Sequence, residues 1–395
     1  MRILLFLRDA LPPSRVDVRV LFDRALRECG IDTDYVGSRH AHGTVPDGDT
    51  VCRGAMFEAA PPGKRPRWWR ALAVLWRQAA SYDLVIVRDQ PLLGALILTY
   101  SRLRGRKTAY WMSFPIPLGD RTGARAHWQH GWPGRAAWVW SRGAIAEIVQ
   151  RMLTLRVAQR VFVQSERMRD VIVRTGVPRE RVDAVPMGVD SALLHALAAD
   201  DPRAPVECCR IAYLGALTRA RRLDVLLDAL AEVLPRYPDA RLMLVGGSDN
   251  PADVAWLRAH AARRRIDHAL EIVPPRPMLE AWSLVRAAAV AVSPIPPGPL
   301  HDVSSPTKLV EYLALGVPVV ASRIPDQEAV LRDCGGGICV DFDARQFAGA
   351  LCTILQDVQN ARAEARRARE KVLALRSYEV LAQGLAGRLR ALAAG

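Results

Sequence analysis

No stretch of the sequence approaches the ~18–20 consecutive apolar residues that a membrane-spanning helix needs. The longest candidate, Pro91 to Leu98, is far shorter. The opening run Ile3–Leu7 ends at Arg8-Asp9, too soon for the core of a secretory signal, and reads instead as a first buried strand. Any membrane contact is therefore expected to be peripheral. Cysteine is sparse and irregular: seven residues, at 29, 52, 208, 209, 334, 339 and 352, with no Cys-x-x-Cys pair. That fits reduced thiols in a cytosolic protein better than a disulfide frame or a zinc site. Acid is the scarcer charge, 41 Asp and Glu against 55 Lys and Arg, which leaves a formal net charge of +14. Such a balance favours anionic partners: nucleic acid, phosphorylated small molecules or an acidic membrane face. An arginine- and alanine-rich genome raises the pI with no functional cause, so composition alone does not choose. The sequence has no zinc-finger pattern, RNA-recognition signature or lysine-rich tail, which ranks nucleic-acid binding low.

Apolar residues make up 50% of the 395. A chain of that length is expected to form two domains. Strand candidates alternate with helical patterns throughout. They run Ile3–Leu7, Tyr35–Val36, Leu84–Val87, Thr108–Met112, Val161–Gln164 and Val182–Val185. After a loose stretch at 198–205, rich in small, acidic and proline residues, come Ile211–Leu214, Leu242–Val245, Ile272–Val273, Ala289–Val292 and Val317–Ala321. Helices are expected at Val18–Cys29, stopped by Gly30, at Pro91–Leu103, and at the close of the chain. This β-α-β rhythm predicts an α/β protein with parallel sheets, and ligands in such sheets bind at the carboxyl ends of strands. The domains are expected at 1–197 and 206–375, with helix 378–395 packing back on the first.

The most informative segment is Ser304-Ser305-Pro306-Thr307-Lys308-Leu309-Val310-Glu311-Tyr312-Leu313-Ala314-Leu315-Gly316-Val317-Pro318-Val319-Val320. Ser305 suits an N-cap and Pro306 the first helical position. Leu309, Val310 and Leu313 give an apolar face, and Gly316 ends the helix. Free amides at Thr307, Lys308 and Leu309, with the helix dipole, favour an anion such as a diphosphate. Lys308 adds a full charge. Glu311 lies one turn further along the same face, where an acid can accept from ribose hydroxyls. The bland alternative is a well-capped helix with a surface Lys–Glu pair, and short motifs match often enough to leave both readings open.

This segment resembles the donor-site signature of family 4 glycosyltransferases of the GT-B fold, (S)PxKxxEYMAxGxPVVA. The likeness extends to Val161–Glu166, Val185–Asp190, Tyr213-Leu214-Gly215-Ala216-Leu217 with Arg219, Arg221, Arg222, Leu223 and Asp224, and Leu242–Gly247. It spans most of Asp83 to Asp357 and is vague before residue 80. The resemblance implies two Rossmann-like domains facing across a cleft, the first for the acceptor and the second for the nucleotide-sugar donor. It implies donor contacts from Gly215, Ser305, Pro306, Thr307 and Leu309. Lys308 and Arg221 would stabilise the leaving diphosphate, with Arg219 or Arg222 assisting, and Glu311 would bind the ribose. Pro274-Pro275-Arg276 falls where the family's base-binding backbone lies. The reaction implied is retaining transfer from a UDP- or GDP-sugar by front-face attack, with no protein nucleophile, and no essential metal or cofactor is expected.

The sequence departs from the family in two places. Where many members carry a first glutamate, counted back from Glu311, this chain has Val303, and Asp302 or His301 is the nearest polar substitute. The first loop, Arg8 to Arg15, has no glycine, and Ser113 stands about where a histidine is common. Arg88, Asp89 and Ser113, at or just past strand ends, are the acceptor-side candidates, with a structural role in turns as the alternative. A nucleotide-sugar 2-epimerase of the same architecture, and a non-catalytic nucleotide-sugar-binding relative, are the competing readings.

Eight of the ten tryptophans lie between Trp68 and Trp140. Basic residues accompany them: Lys64 to Arg77 has five and no acid, and Arg121 to Arg160 has seven arginines against Glu147 alone. Such a mixture suits an anionic headgroup region. For 68–79 the bland reading is a domain helix burying a Trp68, Leu72, Leu75, Trp76 and Ala79 face. For 121–142, with glycine and proline and little periodicity, an exposed loop is expected. A lipid-linked acceptor in cell-surface polysaccharide synthesis, and a cytoplasmic location peripheral to the inner face of the plasma membrane, would account for this surface.

Overall fold

The computed structural model describes residues 1–13, 15–39, 52–60, 68–129, 131–198 and 206–395. Ser14, the basic residues 64–67 and linker positions 199–205 lie outside them. The described chain divides into two units, Met1–Pro186 with Tyr378–Gly395, and Met187–Ser377. The first unit thus ends at Pro186, and the helix Ser191–Ala198 belongs to the second, where Leu194 and Leu197 join its core.

In the first unit, β1 (Arg2–Leu11), β2 (Asp32–Arg39), β3 (Met56–Ala60), β4 (Leu84–Arg88), β5 (Lys107–Met112), β6 (Arg160–Val163) and β7 (Val182–Ala184) form one sheet. Its order is β3-β2-β1-β4-β5-β6-β7 and the pairings are parallel. β4 is buried along its whole length and reads as an unbroken apolar run up to Arg88, as a strand covered on both faces must. Alternate residues Ile3, Leu5 and Leu7 of β1 pack with Phe22, Trp111 and Phe162, and with Tyr378, Leu385 and Leu389 of the helix Tyr378–Ala394. Phe22 meets Trp111 edge-on, with ring centroids 4.9 Å apart. The closing helix is thus part of the first unit's core.

In the second unit, β8 (Glu207–Leu214), β9 (Arg241–Val245), β10 (Leu270–Val273), β11 (Ala288–Ser293), β12 (Val319–Ser322) and β13 (Gly337–Val340) form a parallel sheet in the order β10-β9-β8-β11-β12-β13. Two-residue periodicity divides its core between two faces. Ile211, Leu242, Leu244 and Val290 point to one, with Phe347. Ala212, Met243, Val245 and Ala291 point to the other, against Leu309, Val310 and Leu313 of the helix Thr307–Ala314. Each sheet reverses its winding between two central strands, β1 and β4 in one and β8 and β11 in the other. In open parallel sheets such a reversal is where ligands bind, outside the carboxyl ends of the strands.

The thirteen strands among the described residues include two that periodicity did not predict, β3 and β13. Both are short edge strands. β13 opens on glycine and is only half-buried, so it lacks the apolar run that marks a central strand.

Candidate active site

The carboxyl end of β8 runs into Gly215, whose φ of +151° puts it in a region that side chains rarely adopt. Lys308 occupies the space above it. A Cβ on Gly215 would collide with the Lys308 Cε and stand 2.8 Å from its Nζ, so the glycine leaves room for the lysine in this position. The Nζ lies 5.9 Å from the centre of the Tyr213 ring, at the outer limit of a cation–π contact. Behind this, Tyr312 Oη accepts the Leu214 amide at 2.8 Å and ties the helix to the strand. Burial lowers the Lys308 pKa, nearby Arg221 lowers it further, and Glu311 opposes them. The Glu311 carboxyl is buried, which raises its pKa against the pull of Lys308 and of a hydrogen bond from Thr307. A cation whose charged form is disfavoured, beside a carboxyl in the same condition, is typical of a place where a charged ligand is meant to sit.

The helix begins at Thr307 with Pro306 at the N-cap position and no side-chain cap. This corrects the expected assignment of Ser305 as cap and Pro306 as first helical residue. The amides of Thr307 and Lys308 make no backbone hydrogen bond to a described residue, as the first amides of a helix must not. Ser305 has another task. Its Oγ donates to Asp326 at 2.9 Å and accepts from the Met187 amide at 3.0 Å and from Arg376 at 3.3 Å. Arg376 also pairs with Asp326 at 3.0 Å. This half-buried knot fixes the entry to the Thr307 helix, and no local pattern in the sequence points to it, since its members lie up to 189 residues apart (Met187 to Arg376).

Of the three arginines after β8, two are taken. Arg222, in the left-handed region at φ +52°, pairs with Asp224 at 3.0 Å. Arg219 approaches Asp253 at 3.6 Å and lies over the Trp256 ring. Arg221 has no side-chain ion pair or hydrogen bond among the described residues, yet its charge is felt at Lys308, Tyr213 and His301. His301 is half-buried, which lowers its pKa, and bonds to the Pro296 carbonyl. Asp302 turns back to accept the Gly298 amide at 3.0 Å, and Val303 is buried. Of the two substitutes for the missing glutamate, His301 is therefore the one within Arg221's field. The sequence does hold Asp-x-Asp triplets, at 32–34, 47–49 and 341–343. In the described ones, Asp34 is engaged by Arg2 and Tyr82, and Asp341 by Arg323.

In the first unit Arg88, Asp89 and Ser113 do come together, at the ends of β4 and β5. Arg88 is 1% exposed. Its guanidinium donates to Asp17 at 2.6 Å, to Asp9 at 2.8 Å and to Ser113 Oγ at 3.0 Å. The Ser113 hydroxyl donates in turn to Asp89, whose other oxygen accepts the Ser113 amide at 2.8 Å. Asp89 is held at φ +53°. Burial raises the Asp89 pKa, with Arg88 and Ser113 opposing. Burial also disfavours the Asp17 charge, but Arg88 and Arg15 outweigh it and leave that pKa lowered. Asp9 and Asp17 were not singled out from sequence. An aspartate at the start of an otherwise apolar helical segment was the only signal.

The tryptophan-rich segments are helical and outward-facing. In the helix Trp68–Gln78 the buried residues are Ala71 and Leu75, while Trp68, Trp69 and Trp76 are exposed. The helix therefore does not bury the tryptophan face, contrary to the bland expectation. Residues 121–142 are not a loop either. Residues 121–129 and 133–142 fall within the helices Ile116–Gln129 and Pro133–Val149, which pack on each other. Trp128, Trp132, Trp138 and Trp140 are all more than half exposed, as are Ile145 and Ile148. Arg142 lies 5.1 Å from the Trp138 ring centre and Arg121 5.5 Å from that of Trp140. Among the described residues no helix is long and apolar enough to cross a membrane.

Comparison with known proteins matches the two halves separately. Residues 7–188 match the glycosyl transferase 4-like domain and residues 208–357 match glycosyl transferases group 1. A curated relative, the D-inositol 3-phosphate glycosyltransferase of Acidothermus cellulolyticus, is 30% identical over 200 residues, 47% of this chain and 43% of that protein. The chain spans about half or less of the length of the curated relatives it matches. Among solved structures, HepE of Anabaena in complex with UDP superposes with a TM-score of 0.70 at 16% identity, covering 99% of this chain and 100% of that one. The sucrose-phosphate synthase of Thermosynechococcus elongatus gives 0.69 at 20%, covering 100% and 99%. At such identities these two show the fold, a pair of Rossmann-like halves with parallel sheets. With both domain matches in place, the chain belongs to the glycosyltransferases of the GT-B fold, pairing a glycosyl transferase 4-like domain with a glycosyl transferases group 1 domain.

Proposed function

We propose that the protein is a retaining glycosyltransferase that moves a sugar from a nucleotide diphosphate to a lipid-linked glycan at the cytoplasmic face of a membrane. The observation that carries this reading is the placement of Lys308 over Gly215 at the amide-bearing start of the Thr307–Ala314 helix, with Arg221, unpaired among the described residues, close enough for its charge to act on Lys308. Two cations and free amides around one space suit a diphosphate. In this reading Gly215, Ser305, Pro306, Thr307 and Leu309 frame the diphosphate, Glu311 accepts from the ribose, and His301 takes the place of the absent glutamate near the sugar. Arg219 and Arg222, held by their own acids, play a lesser part. The donor is a UDP- or GDP-sugar.

Cleavage of the bond between the anomeric carbon and the phosphate oxygen leaves negative charge on the diphosphate. Lys308, Arg221 and the helix amides stabilise that charge as it forms. The acceptor oxygen bonds to the anomeric carbon from the same face, and its proton passes to the departing phosphate. No protein nucleophile enters and no metal is needed. Arg88, Asp89 and Ser113 shape the acceptor side, and the exposed tryptophan and arginine surface of the first unit rests on anionic headgroups.

The test is calorimetry of the full chain with UDP, GDP and their sugars, beside Lys308→Ala and Glu311→Ala. One nucleotide is expected to bind selectively and to weaken at least about tenfold in Lys308→Ala, as for a lost charge-assisted hydrogen bond. Absence of binding by every nucleotide overturns the reading.

A further inference from the structure

The first unit has a second feature that its buried charge network does not use. A cavity of about 310 Å³ opens beside Asp89, lined by Arg8, Gln90, Leu92, Leu93, Ile116 and Ala146 among others. Its polar groups are unevenly satisfied. The Nε2 of Gln90 is buried and has no hydrogen-bond partner among the described residues. A buried donor left this way is destabilising unless a ligand or solvent oxygen meets it. Arg8 is exposed on the rim and makes no ion pair among the described residues. The other charges there are already matched. Asp120 pairs with Arg142 at 2.7 Å, and both oxygens of Asp89 are occupied by Ser113. What is left over is an amide donor and a cation, both of which seek an anionic oxygen.

The remaining wall is apolar, and the apolar character continues outside. Leu92 lines the cavity and is itself partly exposed, and Leu96 lies one helical turn further along the same face of Pro91–Leu103. Ala146 lines it from the helix Pro133–Val149, which packs against Pro91–Leu103 and exposes Ile145 and Ile148. An inorganic anion would leave those surfaces bare. A neutral sugar would leave the cation unused.

We infer that this cavity binds a phosphate carrying an apolar chain, with Gln90 and Arg8 on the phosphate oxygens and Leu92, Leu93 and Ile116 on the first carbons of the chain. Rise of the Asp89 pKa on burial supports the assignment, since a carboxyl inclined to stay protonated repels a phosphate less. The inference deepens the acceptor part of the proposed function, because it names the lipid phosphate as the group the first unit grips.

Calorimetry of the full chain tests it, with decyl phosphate below its micellar concentration as probe, and inorganic phosphate and decyl glucoside as controls. Wild type is expected to bind decyl phosphate at least about tenfold more tightly than either control. Gln90→Leu and Arg8→Gln are each expected to weaken it by about tenfold, with nucleotide binding unchanged in both. Equal binding of inorganic phosphate would make this a free-phosphate site and overturn the inference. So would variants that bind decyl phosphate as wild type does, which would place the chain on the exposed tryptophans instead. If wild type binds decyl phosphate through Gln90 and Arg8 but binds no nucleotide, the cavity stands and the donor reading alone falls.

Discussion

Lys308 is the residue on which most of the proposed chemistry turns, and its state depends on pH in a defined direction. Burial and Arg221 lower its pKa in the free protein. A bound diphosphate favours the charged amine and raises the pKa again. Between the two values binding takes up a proton, so nucleotide affinity is expected to fall as pH rises through the lowered pKa of the free protein. Calorimetry in two buffers of different ionisation enthalpy reads the uptake directly, and Lys308→Met is expected to abolish it. The buried pair of the first unit makes a second case. Asp17 loses its charge later than an ordinary aspartate on acidification, because Arg88 and Arg15 outweigh the cost of its burial. Its lowered folded pKa contributes stability that is present above the usual aspartate range and lost as pH falls through the lowered value. Asp17→Asn leaves the buried Arg88 short of a carboxylate, and a loss of about 3 kcal/mol in urea unfolding at neutral pH is expected. The variant's stability is also expected to fall less steeply on acidification than wild type.

At the scale of the element, two helices repay comparison. Thr307–Ala314 is short, uncapped by any side chain, and nearly surrounded by core. It stays in place because its neighbours hold both ends. The Ser305–Asp326–Arg376 knot fixes the entry, and at the exit buried Arg362 donates to the Gly316 carbonyl at 3.1 Å. Trp68–Gln78 is held by Ala71 and Leu75 and leaves its large side chains outside. Replacing Trp68 and Trp76 by serine therefore removes little packing, and the change in stability is expected to stay within about 0.5 kcal/mol. Binding to anionic vesicles is expected to weaken severalfold in a cosedimentation assay. Unchanged vesicle binding would show that this helix is not part of the membrane-facing surface.

At the scale of the molecule, charge and architecture act together. A formal charge of +14 adds a long-range attraction to any anionic surface that salt screens within about 10 Å at 0.1 M. Each of the two parallel sheets reverses its winding once, and in such sheets ligands bind at the reversal. Most of the strands and the helix Thr307–Ala314 were readable because their signals are local. An apolar run such as Leu84–Val87 and a contiguous Pro-Thr-Lys-x-x-Glu segment need no knowledge of the rest of the chain. The edge strands β3 and β13 were not readable, since β3 carries exposed Met56 and Glu58 and β13 opens on glycine and is only half-buried, whereas the other two edge strands, β7 and β10, were read. Periodicity also told that residues 68–79 form an amphipathic helix, but not which side faces inward. That depends on which neighbours cover it, and here Ala71 and Leu75 were covered while the tryptophans were not. The same limit applied to Arg88. Its place at a strand end was visible, but its partners Asp17 and Ser113 lie 71 and 25 residues away and meet it only because β1, β4 and β5 end side by side. Short-range order follows from residue pattern and spacing. Long-range pairing follows from how the sheet closes, and that closure decided the buried charges, the outward tryptophans and the cavity beside Asp89.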